Sequence, residues 1–200
     1  MSADSTPRDR RAARLVLDLA RSRPPTLGDT RLVCVDGPAG SGKSTLAAMI
    51  AELEPGARII HMDDLYDGWT GLGSVTRQLS TLIRPLALRQ PGCYRRYVWH
   101  RGEFAETVDV DPPELLVLEG VGSGAAELTA FITVLVWVTA PRTVRRERGL
   151  ARDGEAIAPH WDGWMRQEDA HFASQRTADR ADVIVDGTGS RPARQVSERR

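Results

Sequence analysis

Four residues in the 200-residue chain stand at a spacing that does chemistry: Gly37, Gly42, Lys43 and Ser44, the fixed positions of G-x-x-x-x-G-K-[ST]. They fall in L-V-C-V-D-G-P-A-G-S-G-K-S-T-L, an apolar run, a glycine-rich turn and the start of a helical pattern. Glycines at 37, 40 and 42 permit backbone conformations that turn amide hydrogens toward an anion, and a helix beginning near Lys43 adds the positive end of its dipole. Gly37, Pro38, Ala39, Gly40, Ser41, Gly42, Lys43, Ser44 and Thr45 are therefore expected to cradle the phosphates of ATP. Lys43 would reach the β- and γ-phosphates, and Ser44 would ligate Mg²⁺. Lys43 is also the only lysine of the chain, so the composition keeps an ammonium group where one is needed.

Carboxylates follow at the ends of two further apolar runs. The run at 57–62 ends in D-D-L-Y, and in open α/β sheets ligands lie beyond the carboxyl ends of the strands. Asp63 is expected to orient an acceptor hydroxyl and take its proton, with Asp64 beside it; the alternative is that one or both cap the next segment. E-L-L-V-L-E at 114–119 puts Glu119 where a carboxylate holds Mg²⁺ beside such a loop, the Walker B arrangement.

Basic and aromatic residues supply the remaining candidates. P-R-T-V-R-R-E-R-G-L-A-R-D places Arg145, Arg148 and Arg152 on one helical face, a lid that would neutralise charge on a moving phosphoryl group. A solvated face with i,i+4 pairing is the alternative. In C-Y-R-R-Y-V-W-H-R, residues 93–101, Tyr97 and Arg101 could stack on a ring and hold phosphate, or the stretch is an ordinary surface hairpin. Trp161, Trp164 and Phe172 have core spacing.

The elements that must position these residues alternate between strand and helix. That pattern predicts an α/β fold: a doubly wound parallel five-stranded sheet with helices on both faces. One amphipathic helix is expected in an N-terminal extension, 1–30, with apolar positions 12, 15, 16 and 19 that pack on the domain or on a second copy. The main domain spans 31–188 and a disordered tail 189–200. Basic and acidic residues balance at 27 each, which gives no reason to expect nucleic acid as a partner. The longest apolar run, 131–140, is too short to span a membrane, and no leader pattern opens the chain, so a cytoplasmic protein is expected. Cys34 and Cys93 are expected to be free thiols.

With these motifs in place, the chain resembles P-loop kinases of the uridine kinase and nucleoside/nucleotide kinase group. V-D-G-P-A-G-S-G-K-S-T, the strand ending in D-D-L-Y, L-V-L-E-G, the arginine lid and R-A-D-V-I-V carry the resemblance, over residues 31–187. The opening motif is also similar to that of cytidylate kinases. The resemblance implies ATP and Mg²⁺ as cofactors, Asp63 as the base, Tyr66 in the acceptor pocket and His100 as the histidine that contacts a pyrimidine. Leu65 replaces the family's phenylalanine, no ribose-binding aspartate stands in 67–90, and Arg95, Arg96 and Tyr97 replace the family's Y-D-F. The implied activity is transfer of the γ-phosphoryl group to a hydroxyl of a small molecule, first of all a nucleoside. A nucleoside monophosphate, a sugar or another small alcohol is the alternative acceptor, and the additional arginines favour an acidic one. An ATP-binding regulator without an acceptor is the reading from another class. A GTPase switch is not: the guanine-specifying N/T-K-x-D pattern needs a second lysine.

Overall fold

Alternating apolar and amphipathic runs become alternating strands and helices in the computed structural model, which describes residues 7–196. In chain order these are α1 (Pro7–Ser22), β1 (Arg31–Asp36), α2 (Lys43–Leu53), β2 (Arg58–His61), α3 (Thr76–Ala87), β3 (Gly92–Val98), β4 (Glu103–Val110), β5 (Leu115–Glu119), β6 (Val134–Thr139), α4 (Arg142–Asp153), α5 (Ala158–Gln175), α6 (Thr177–Arg180), β7 (Val183–Asp186) and β8 (Arg194–Gln195). Short 3₁₀ turns, Met62–Asp64 and Gly68–Ser74, follow β2.

The main sheet has the order β2-β5-β1-β6-β7-β8. Its first five strands are parallel, with Val33 opposite Val117 on one side and Val134 on the other. All of β5 and nearly all of β1 are buried, as strands covered on both faces must be. Odd-numbered residues of β1, Val33 and Val35, meet α1 and α2, whereas Leu32 and Cys34 face the layer built by α3 and α5. The expected doubly wound α/β architecture is therefore present.

One feature differs from expectation, and the 93–101 stretch takes the hairpin form that the sequence left open. Arg194 and Gln195, placed by the sequence in a disordered tail, pair antiparallel with β7 and add a sixth strand; residues 197–200 lie outside the described residues. The aromatic and basic stretch at 93–101 does not join the main sheet. With β4 it forms a separate antiparallel hairpin whose register shifts between Arg95 and Tyr97. No described helix is long and apolar enough to cross a membrane. Both cysteines are free, Cys34 inside the sheet.

The apolar stripe of α1 is occupied within the chain. Ala13 and Val16 are fully buried and Ala12, Leu17 and Ala20 nearly so, against α2 and the sheet, with Leu15 and Leu19 at the margin. Because α1 approaches through alanines, Ala13→Leu should overpack the seam and lower the unfolding free energy by about 1–3 kcal/mol in urea denaturation.

Candidate active site

The loop between β1 and α2 bends through glycine. Gly37, Gly40 and Gly42 have φ of 142°, 76° and 105°, and a Cβ on Gly37 would stand 2.1 Å from the Val138 carbonyl oxygen. Only glycine lets the loop lie this close to β6. Lys43, the first residue of α2, is buried, and its ammonium turns back over the loop to donate to the Pro38 carbonyl at 3.0 Å.

Three contacts from other elements fix the loop's shape. Asp36, at the end of β1 and fully buried, accepts the amide hydrogens of Gly37 (2.7 Å), Gly122 (2.9 Å) and Gly124 (2.8 Å), tying the loop to the segment after β5. Desolvation pushes its carboxyl up to about 6, although those amides and Lys43 pull it back. Glu168 of α5, fully buried, accepts the Ala39 amide at 2.8 Å and pairs with Arg145 of α4 at 2.6 Å. Burial raises the Glu168 carboxyl too, against the Ala39 amide and Arg145. Arg148 donates to the carbonyls of Gly40 (3.3 Å) and Gly187 (3.0 Å). Helix α4 comes this near because Gly149 has no side chain: a Cβ there would lie 2.1 Å from the Trp161 ring.

Carboxylates face the loop. Glu119, buried at the end of β5, accepts the Ser44 hydroxyl at 3.1 Å and meets His61 Nδ1. Burial drives its carboxyl upward, but the His61 hydrogen bond, the Lys43 charge and the Ser44 hydroxyl outweigh that and hold it below the ordinary value. Asp63 follows β2 in the first 3₁₀ turn; crowding by protein atoms and the Glu119 charge raise its pKa, against the pull of Lys43 and Arg152. Lys43, Ser44, Asp63 and Glu119 open onto one cleft of about 790 Å³. Ser44 and Glu119 are paired hard oxygen donors, one of them ionised, and suit Mg²⁺. Among the described residues no group of three or more His, Cys, Asp or Glu side chains could hold a metal ion by itself.

Two solved structures share this arrangement of strands and helices. One, described as a possible uridine kinase from Bacillus stearothermophilus, is 20% identical with a TM-score of 0.56, over 78% of this chain and 89% of that one. The other, a candidate fructose transport system kinase from Silicibacter sp. TM1040, is 20% identical with a TM-score of 0.55, over 85% and 94%. The fold is that of P-loop kinases. No protein-family model matches the sequence, and no curated protein matches it.

Within this P-loop kinase fold the sequence-derived candidates divide. Ala39, Gly40, Gly42, Lys43, Ser44, Thr45, Asp63, Tyr66, Glu119, Arg148 and Arg152 line the cleft. Gly37, Pro38 and Ser41 are buried in the body of the loop. Arg145 shares the helical face of Arg148 and Arg152 but sinks beneath it to pair with Glu168, so it holds the loop instead of facing the cleft. Asp64 turns toward Arg96, at 3.9 Å. Tyr97 packs edge-on against Trp99 and Phe104; Arg101 pairs with Glu103; His100 lies exposed in the hairpin turn; none of these three lines the cleft. In their place the hairpin sends Trp99, whose indole N–H donates to the Asp63 carbonyl at 2.9 Å. Trp69, Trp161 and Trp164 line the cleft as well, the last two both buried and facing it.

The raised Asp36 carboxyl has a measurable consequence. Between 3.8 and about 6 the folded protein holds this proton and the unfolded chain does not, so its contribution to stability is full below 3.8 and is lost as pH rises through about 6. ¹³C NMR should give Asp36 a titration midpoint near 6, and the stability of the wild type relative to Asp36→Asn should fall across that window.

Proposed function

We propose that the protein is an ATP- and Mg²⁺-dependent phosphotransferase that moves the γ-phosphoryl group to a hydroxyl of a small molecule. The observation that carries this reading is the position of Asp63 across one cleft from Lys43, Ser44 and Glu119. The loop amides and Lys43 hold the donor phosphates, the ammonium exchanging its Pro38 carbonyl for phosphate oxygen. Ser44 and Glu119 hold Mg²⁺, which when bound offsets phosphate charge. Arg148 and Arg152 project into the same cleft from α4 and add positive charge near the transferring group.

Asp63 accepts the acceptor's hydroxyl proton while the alcohol oxygen bonds to the γ-phosphorus and the bond to ADP breaks. A carboxylate of raised pKa takes that proton more readily than an ordinary one. A plain ATP-binding regulator has no use for a carboxylate on the cleft wall beside the phosphate loop, and that residue favours the enzyme. The resemblance, and the name of the Bacillus stearothermophilus structure, support a nucleoside as acceptor; the Silicibacter structure's name supports a sugar.

Two substitutions test the assignment in an ADP-release assay. Asp63→Asn should lower kcat by about 10²–10⁴-fold while KM for ATP changes little, because the proton is transferred only in the transition state. Lys43→Ala should weaken ATP binding itself. Turnover of the Asp63 variant close to wild type would remove the base from the mechanism.

A further inference from the structure

On the kinase reading above, on which this inference rests, Asp63 has to face the acceptor hydroxyl in one orientation, yet its own side chain has no anchor. The carboxylate is exposed on the cleft wall, and no described residue hydrogen-bonds or ion-pairs with it. A side chain in that state keeps its aim only if the backbone beneath it is fixed. Asp63 lies in the 3₁₀ turn Met62–Asp64, which the Leu65 amide closes by donating to the Met62 carbonyl at 2.9 Å. Among the described residues, the side chain that reaches the Asp63 backbone from outside this turn is Trp99, whose indole N–H donates to the Asp63 carbonyl at 2.9 Å.

Trp99 can act as a brace because its own place is fixed several times over. It opens the tight turn 99–102 between β3 and β4, where the amides of Arg101 (3.0 Å) and Gly102 (2.9 Å) both donate to the Val98 carbonyl and Gly102 has a φ of 67°. The indole meets Tyr97 edge-on at 5.3 Å and Trp69 at 5.2 Å. Trp69 is tied in turn to α5, since the Gln167 side chain donates to its carbonyl at 2.8 Å. The hairpin closes on the segment around Asp63 at two further points: Arg96 stands 3.9 Å from Asp64, and a Cβ on Gly68 would lie 2.9 Å from the Tyr97 hydroxyl. Because the hairpin is a sheet of its own, side-chain contacts and not strand pairing join it to the cleft wall.

We propose that Trp99 is a positioning residue for the reaction: its indole N–H holds the Asp63 carbonyl, and through that backbone it holds the carboxylate in the orientation that takes the acceptor's proton. The same ring lines the cleft, so the brace lies where an acceptor entering beside Asp63 would meet it.

The test compares the full chain with Trp99→Phe, which keeps an aromatic ring and removes the N–H donor at a site exposed enough (39%) to tolerate the change. ADP release is followed with ATP, Mg²⁺ and, in turn, uridine, uridine monophosphate and fructose. With the compound that the wild type turns over fastest, Trp99→Phe should lower kcat about 10- to 100-fold, leave KM for ATP unchanged, and lower kcat no further in an Asp63→Asn background. In ¹³C,¹⁵N-labelled protein, ³J couplings should report one χ1 rotamer for Asp63 in the wild type and an average of several in Trp99→Phe. The midpoint of thermal unfolding should hardly move, which separates loss of aim from loss of fold. A kcat within about twofold of wild type would overturn the proposal. So would an equal fall in kcat in the Asp63→Asn background, or a single Asp63 rotamer that survives the substitution. If the wild type releases no ADP with any of the three compounds, the kinase reading fails; averaged Asp63 couplings in Trp99→Phe would still uphold the brace, and unchanged ones would remove it.

Discussion

A glycine-rich loop keeps a binding shape only if something outside it removes the freedom its glycines bring. In this chain that constraint is met by buried carboxylates. Asp36 draws three amide hydrogens from two separate loops onto one side chain, so the turn after β1 and the turn after β5 hold each other in place. Glu168 reaches in from α5 to a third point, Ala39, and carries Arg145 with it. Removing one partner from such a buried pair leaves an uncompensated charge and typically costs about 3–5 kcal/mol. The shape of this loop is thus a property of four elements together, not of the loop alone.

Helix α5 joins the two halves of the cleft. Trp161, Trp164 and Glu168 recur at helical spacing, so one face of one helix supplies part of the ring-lined wall and the anchor of the glycine-rich loop. Helix α4 lies against it where Gly149 meets Trp161, which sets how far Arg148 and Arg152 reach over the cleft. The distance between the glycine-rich loop and the aromatic wall is therefore governed by side-chain packing in a buried seam, a stiffer spacer than a loop would be.

The sheet and the loop side of the cleft were legible in the sequence because both follow short-range rules. Apolar runs ending in Gly37, Asp63 and Glu119 identify strands, and strand ends converge on one edge whatever the detailed packing. The aromatic side of the cleft was not, because it is assembled from contacts distant in sequence. Whether Tyr97 or Trp99 enters the cleft depends on a register shift inside the β3–β4 hairpin, which no local pattern announces. Arg145 and Arg148 look equivalent on a helical face, and only Glu168, 23 positions beyond Arg145, separates their roles. Asp36 carried a signal in its place immediately before Gly37. Trp161 and Trp164 have core spacing and are indeed buried, yet the core they belong to is also a wall of the cleft.

The lone ammonium side chain has a further consequence. With arginine everywhere else a cation is wanted, no other side chain of the protein carries an amine. An acylating reagent that attacks amino groups thus has a single side-chain target, and that nitrogen is already engaged with Pro38 deep in the loop. The rate of modification at this one side chain would report whether its contact with Pro38 is kept or given up.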